Sequence, residues 1–353
     1  MNIYLSDLSV PTLQKKLGGK HLIDMKKTLT TIAFALGTLA GFAQQDPQFS
    51  QYMYNKMFMN PAYAGMRQAL CGTMIARQQW SGFDGAPQSG VLSVDGYVNP
   101  LHGGLGLNVM YDKLGFEQTM AYRLAYSFHL TNIAGGTLGI GLEGGAISKR
   151  LGPTGSDQWI ATTNWQNDQA IPPQLQKTTF DLGFGLWYQR QNLWFGISST
   201  HLPANSIDDG QSSLIGTPPI AHDLVYQMAR HYYITGGYNW ATGGAWEIRP
   251  SFLVKSDATI TSFDFNVLAL YDQKFWMGAS YRFQDAVIPM VGFQMPHSKI
   301  GENGGLKVGF AYDYTTSNLR KYNNGSFELF LNYCYPIVIP TKREGHGDVR
   351  IFD

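Results

Sequence analysis

The chain has 353 residues, 26 basic and 25 acidic side chains and a formal charge of +1, which offers nothing to nucleic acid or to an anionic membrane surface. Charged residues make up 14%, well under the quarter usual for soluble domains, while aromatics reach 14% and glycines number 40. A mean hydropathy of −0.17 argues against a bundle of membrane helices, because a barrel that alternates between lipid and lumen stays near neutral on average.

Met25-Lys26-Lys27 precedes an apolar run from Thr28 to Leu39, and Gly41 and Ala43 lead into Gln44-Gln45-Asp46. A basic end, a short apolar core and a small-x-small exit describe a secretory signal peptide cut near Ala43. Residues 1–24 lack that pattern, so Met25 is a candidate start, and 1–43 is read as signal peptide plus an upstream mis-start. A helix opening a globular fold is the competing reading, weakened by the polar break that follows. Five lysines against two aspartates leave this segment at +3, so the mature chain carries a formal charge of −2.

Residues 44–66 form a lead segment. Phe49, Tyr52, Met53, Tyr54, Met57, Phe58 and Met59 follow no strict alternation, and the segment ends Asn60-Pro61-Ala62-Tyr63-Ala64-Gly65. So many rings oppose a disordered tail. The segment is expected to plug a lumen or to lie at the periplasmic mouth.

Residues 67–335 read as an all-β, closed antiparallel transmembrane β-barrel of about fourteen strands. The candidates are Arg67–Trp80, Gln88–Val98, Gly103–Tyr111, Glu117–Leu130, Thr137–Lys149, Thr178–Tyr188, Leu193–Thr200, His231–Trp240, Trp246–Val254, Ile260–Tyr271, Lys274–Phe283, Ala286–Gln294, Leu306–Tyr314 and Ser326–Tyr335. The last is the clearest. Phe327, Leu329, Leu331, Tyr333 and Tyr335 alternate with a small or polar face broken only by Phe330 and Cys334. Long connections follow odd strands (150–177, 201–230, 315–325) and short ones follow even strands, as an outer-membrane barrel with both ends in the periplasm requires. Met295–Gly305 is the exception, and the count also allows twelve or sixteen strands. A soluble β-sandwich is the competing arrangement. Residues 336–353 turn charged and read as a periplasmic tail.

Cys71 and Cys334 fall on the first and last strands near the same rim. Closure in an oxidising compartment leaves two readings open, a seam disulfide or two small strand residues. The eight histidines show no metal-ligand spacing, so no metal or other cofactor is expected. His129, His201 and His231 could supply a membrane phospholipase triad only with a nucleophile motif that the sequence lacks. Gly103-Gly104-Leu105-Gly106 lacks the setting of a phosphate loop, and Asp208-Asp209-Gly210 reads as a surface turn before a calcium site.

Asn60-Pro61-Ala62-Tyr63-Ala64-Gly65, followed by Arg77-x-Gln79-Trp80-x-Gly82-x-x-Gly85-Ala86-Pro87, resembles the start of the PorP/SprF family of type IX secretion membrane proteins. Asp46-Pro47-Gln48-Phe49-Ser50-Gln51-Tyr52 is similar to that family's mature N-terminus. Phe180-Asp181-Leu182-Gly183-Phe184-Gly185, Gly278-x-x-Tyr281-Arg282 and Val308-Gly309-Phe310-Ala311-Tyr312-Asp313 continue the likeness. The resemblance implies a noncatalytic barrel of the Gram-negative outer membrane, embedded in lipid, that works in protein secretion and gliding motility. It further implies a role in exporting or retaining a secreted adhesin with a C-terminal sorting domain, together with periplasmic secretion-ring components.

On this reading the partner-binding candidates are Trp80, Phe83 and Asp84 in the first loop, with Trp159, Trp165, Ile171, Leu214 and Ile215 as apolar anchors in the two long loops. The alternative is a porin-like channel for small or apolar solutes, its lumen wetted by Arg123, Asp181, Asp264 and Arg282.

Overall fold

The computed structural model describes residues 46–82, 84–152, 175–207, 226–297 and 301–336. Fourteen strands form the wall: β1 (Ala69–Gln78), β2 (Gln88–Val98), β3 (Gly103–Leu114), β4 (Glu117–Ile133), β5 (Gly136–Leu151), β6 (Leu175–Arg190), β7 (Leu193–Thr200), β8 (His231–Tyr238), β9 (Trp246–Ser256), β10 (Thr261–Tyr271), β11 (Phe275–Arg282), β12 (Ala286–His297), β13 (Gly301–Thr315) and β14 (Ser326–Pro336). Each pairs antiparallel with its chain neighbours, and β1 pairs with β14 from Ala69↔Pro336 to Gln78↔Phe327. The barrel is therefore closed. An open edge in lipid would strand backbone groups at several kcal/mol each.

Alternation is clear on the strands that are easiest to read from sequence. On β10, Phe263, Phe265 and Val267 are exposed while Asp264 and Asn266 are buried; Phe265 is 58% exposed beside Asp264 at 1%. On β14 the two exceptions to the polar inner face each have a use. Phe330 points inward under a ring of the lead segment, and Cys334 lies opposite Cys71 and is disulfide-bonded to it, with 4.1 Å between Cα atoms. The bond resolves the alternatives that spacing left open.

Three boundaries differ from the pattern. β1 is shorter than Arg67–Trp80, because Gln68 (φ 53°) and Trp80 (φ 49°) turn out of the strand at either end. The run His231–Trp240 breaks at Asn239, which donates its N–H to the carbonyl of Asn192; Trp240–Ala241 then adds a separate two-residue strand to β9. The long Met295–Gly305 turn shrinks to residues 298–300, since β12 runs on to His297 and β13 begins at Gly301. An irregular register at Pro296/His297 hides that extension from any test of alternation. The even connections are then all short.

Both ends of the barrel chain share one rim with these short turns, the arrangement expected of a barrel whose ends lie on one side of the membrane. The opposite rim carries the connection 79–87 and the other odd connections.

Candidate functional site

The lead segment runs through the lumen from the odd-loop rim toward the short-turn rim. It does so as three short pieces: Tyr52–Tyr54, Lys56–Met59 and Pro61–Tyr63. None is long enough to stand alone as a helix, so the wall must supply its partners.

Near the short-turn rim the wall supplies space. A Cβ on Gly104 would overlap the Ala64 carbonyl, one on Gly106 the Met57 sulfur, one on Gly139 or Gly141 the backbone of Ala62, and one on Gly185 the Asn60 side chain. These glycines of β3, β5 and β6 form a trough into which Asn60–Gly65 fits. Asn60 Oδ1 accepts from the Ala62 N–H at 3.0 Å, while its amide donates to the carbonyls of Leu186 (3.0 Å) and Ile197 (3.1 Å). Ser127 Oγ donates to the Ala62 carbonyl at 2.7 Å, and His129 Nε2 lies 3.0 Å from that of Ala64. Gly65, at φ +74°, donates to Asp95 Oδ2 at 2.9 Å. The backbone of a loop buried without such partners would be costly.

In the middle, rings meet. Tyr54 stacks on Phe330 with centroids 4.3 Å apart, and at the edge of the trough Tyr63 meets Trp187 edge-on at 4.9 Å. The side chains of Met57, Phe58 and Met59 are buried, and Phe58 meets Phe49 edge-on at 5.4 Å.

Near the odd-loop rim the wall supplies charge. Glu328 accepts the backbone N–H groups of Ser50 and Gln51, each at 2.7 Å. Arg77 reaches Asp313 at 2.7 Å and Glu328 at 3.3 Å, and its Nη1 donates to Ser50 Oγ at 2.8 Å. Arg282 bonds Asp264 and Asp313, each at 3.1 Å, and Gln48 adds its amide to Asp264. Arg123 pairs with Asp181 at 2.8 Å. The four charges expected to wet a lumen are thus buried and paired.

Asp46 closes this end. Its carboxylate lies 2.9 Å from His201 Nε2 and accepts from Tyr233 at 2.9 Å, its N–H donates to His231 Nε2 at 3.0 Å, and its carbonyl accepts from Lys255. Burial opposes its charge, but His201 and His231 hold the carboxyl well below the usual range. His201, just past β7, loses by burial yet gains more from Asp46 and Asp181, and is pushed up to about 9.

Asp46, His201 and His231 offer ligand atoms within 4.8 Å of one another. Every one already has a partner in the chain, and Arg123 lies 3.4 Å from His201 Nε2, so the group is a clamp on the lead segment. Among the described residues, His129, His201 and His231 have the backbone, carboxylate and arginine contacts just given. Spacing in sequence could not show the cluster, because Asp46 and His231 are 185 positions apart.

The second motif braces the odd-loop rim. Arg77 faces the lumen, whereas Gln79 donates its N–H to the Pro87 carbonyl and Trp80 donates its N–H to Ser326 Oγ at 3.1 Å. Gly82 (φ +112°) packs on Asn324, and Gly85 (φ +79°) accepts from the Gly115 N–H. Ala86 is half-buried, Pro87 is buried, and Asp84 is exposed. Of the partner-binding candidates, Phe83, Trp159, Trp165, Ile171, Leu214 and Ile215 lie outside the described residues.

A sequence model of the type IX secretion system membrane protein PorP/SprF matches residues 41–333. No curated protein sequence matches the chain. Among solved structures, the CymD monoaromatic hydrocarbon channel is similar at 12% identity over 80% of this chain and 92% of its own, with a TM-score of 0.47. The toluene transporter TbuX of Ralstonia pickettii gives 11%, 79%, 92% and 0.47, and a FadL homologue of Pseudomonas aeruginosa gives 12%, 84%, 97% and 0.43. What those proteins carry says nothing of this chain at such distances.

Proposed function

This chain belongs to the PorP/SprF family of type IX secretion system membrane proteins, and from that membership we propose that it is a plugged, noncatalytic barrel of the outer membrane that docks a secreted adhesin. The odd-loop rim would receive the adhesin's C-terminal sorting domain and aid its export or surface retention, and the short-turn rim would meet the periplasmic secretion ring. The observation that carries this reading is the occupied lumen. A segment held by glycine shape at one end and buried charge at the other leaves the rims, and not the bore, as the working surfaces. The signal peptide cut near Ala43 and a role in gliding belong to the same proposal.

Deleting residues 153–174 or 208–225 and measuring adhesin on intact cells tests it directly. Retention should fall with at least one deletion while barrel assembly persists; unchanged retention with both would defeat it. The rival, a porin-like or apolar-solute channel, predicts steady conductance of the intact protein in planar bilayers, where the plugged barrel should be silent.

A further inference from the structure

The outer face of the wall is dented near the odd-loop rim. An open groove of about 440 Å³ crosses β13, β14, β1, β2 and β3 on the side that alternation turns to lipid. Two register rows make it. In the lower row Phe310, Leu329, Ala76, Gly90 and Tyr111 lie side by side, so two small residues sit between large ones. A Cβ on Gly90 would meet nothing nearer than the Ile75 carbonyl at 3.8 Å, so packing within the chain does not require a glycine there. The neighbouring Arg77, Ser89 and Glu328 bury their side chains in the lumen, which leaves the groove apolar. In the upper row Tyr312, Phe327, Gln78, Gln88 and Lys113 lie side by side. Gln78 donates its amide N–H to the Pro87 carbonyl at 3.3 Å, whereas Gln88 is exposed. Lys113 stands two strands, about 10 Å, from Gln78. On the other flank the connection after β13 folds back over the outside of the wall. Arg320 lies over the outward ring of Tyr314, 4.8 Å from its centroid, and the Tyr312 hydroxyl donates to the Asn324 carbonyl at 2.9 Å. Leu319, Lys321 and Tyr322 are exposed on this knob. Among the described residues, Lys113, Arg320 and Lys321 have no acid partner.

We propose that this groove seats one acyl chain of an anionic membrane lipid, whose phosphate is held at the rim between Lys113 and the Arg320–Lys321 knob. A bilayer is what covers this face of a membrane-embedded wall. A chain that leaves other chains for the wall gains no hydrophobic energy, because lipid tails are as apolar as leucine. Selection therefore comes from shape and charge. A groove left unfilled forfeits dispersion contacts along its length, and a flexible chain fits between Tyr111 and Leu329. The head group answers the charge. Cations stand on both flanks with the Gln88 amide between them, and a phosphate meets them where a zwitterionic head group brings a cation of its own. A second copy of the barrel is a poorer occupant, because a two-fold contact would bring the same cations together. The assignment rests on the wall facing lipid and takes nothing from the adhesin loops.

Native mass spectrometry of the folded mature chain, released from detergent micelles, tests it with phosphatidylglycerol, phosphatidylcholine and inorganic phosphate as probes. Phosphatidylglycerol should form a saturable one-lipid adduct, held about tenfold or more tightly than phosphatidylcholine. An Ala76→Leu, Gly90→Leu variant fills the groove at outward positions and should lose most of that adduct while the barrel stays folded on unheated gels. A Lys113→Gln, Arg320→Gln, Lys321→Gln variant should bring phosphatidylglycerol down to the level of phosphatidylcholine. Ala279→Leu, exposed on β11 away from the groove, should bind as the wild type does. The proposal is overturned by an absent saturable adduct, by an undiminished adduct in the filled variant, or by phosphatidylcholine held as tightly as phosphatidylglycerol. It is also overturned if inorganic phosphate alone displaces the lipid, or if the unfilled chain is a dimer that the filled variant dissolves, which would give the groove to a second copy. Unchanged adhesin retention after loop deletion would defeat the docking reading and leave this result standing.

Discussion

The two ends of the lead segment are held by different physics. Asn60–Gly65 lies in a trough made by missing side chains, where fit is steric and backbone groups are satisfied one by one. Asp46–Gln51 lies among arginines, histidines and carboxylates whose mutual pairing is what makes their burial tolerable. The seat is set by shape, with His129 and Asp95 as the titratable groups on its backbone, whereas the grip is built from charges that a change of pH can loosen. The odd-loop end is therefore expected to loosen before the short-turn end.

The largest expected effect breaks the charged end. Arg282→Met leaves Asp264 and Asp313 short of a buried partner and should lower unfolding free energy by roughly 3–5 kcal/mol in a urea titration followed by tryptophan fluorescence. A loss too small to measure would mean that the charges are solvated and the lumen is wet. At the short-turn end, Gly104→Val drives a branched side chain into the Ala64 backbone and should cost about 1–3 kcal/mol by overpacking. Limited proteolysis should then cut near Asn60–Gly65 before it cuts near Asp46–Gln51, the reverse of the order expected for Arg282→Met. Asn60→Ala strands the carbonyls of Leu186 and Ile197 and should cost on the order of 1–2 kcal/mol in the same titration.

A pH series sharpens the comparison further. His201 is raised from 6.5 to about 9, so its contribution is complete below 6.5 and is lost as pH climbs through about 9. Asp46 is depressed below 3.8, so its contribution is present above that value and is lost only in stronger acid. Protease access at Gln48–Gln51 should rise between neutral pH and pH about 9–10, His201→Gln should flatten that rise, and access at Asn60–Gly65 should not respond. The smallest effect is a control. Lys274→Ala removes an exposed pair with Asp272 on the short-turn rim and should leave every one of these measurements unchanged.

Alternation alone reveals the wall of this protein, because a strand must send every second side chain to lipid and the penalty for error recurs at each residue. Phe327 to Tyr335 could be read outward without any coordinates, and the pairing of the first strand with the last follows once edges are forbidden. The exceptions to that pattern were visible too, but not their meaning. Phe330 and Cys334 looked like blemishes on a polar face, and in the fold they are a ring platform and a seam bond. Boundaries failed where the cause lay in the neighbour, as at Asn239, which turns out of β8 to meet Asn192. The motif Asn60–Gly65 could be picked out by its likeness to a family, but its seat could not, since its glycines come from three strands far along the chain.

The sequence by itself determined a closed, lipid-facing cylinder with two unequal rims, because period and loop length are local properties written residue by residue. Only the tertiary structure decided that the cylinder is filled, and by what. Glu328 meets Ser50 across 278 positions, and contacts at that range depend on where closure places each inward side chain, which no local pattern encodes.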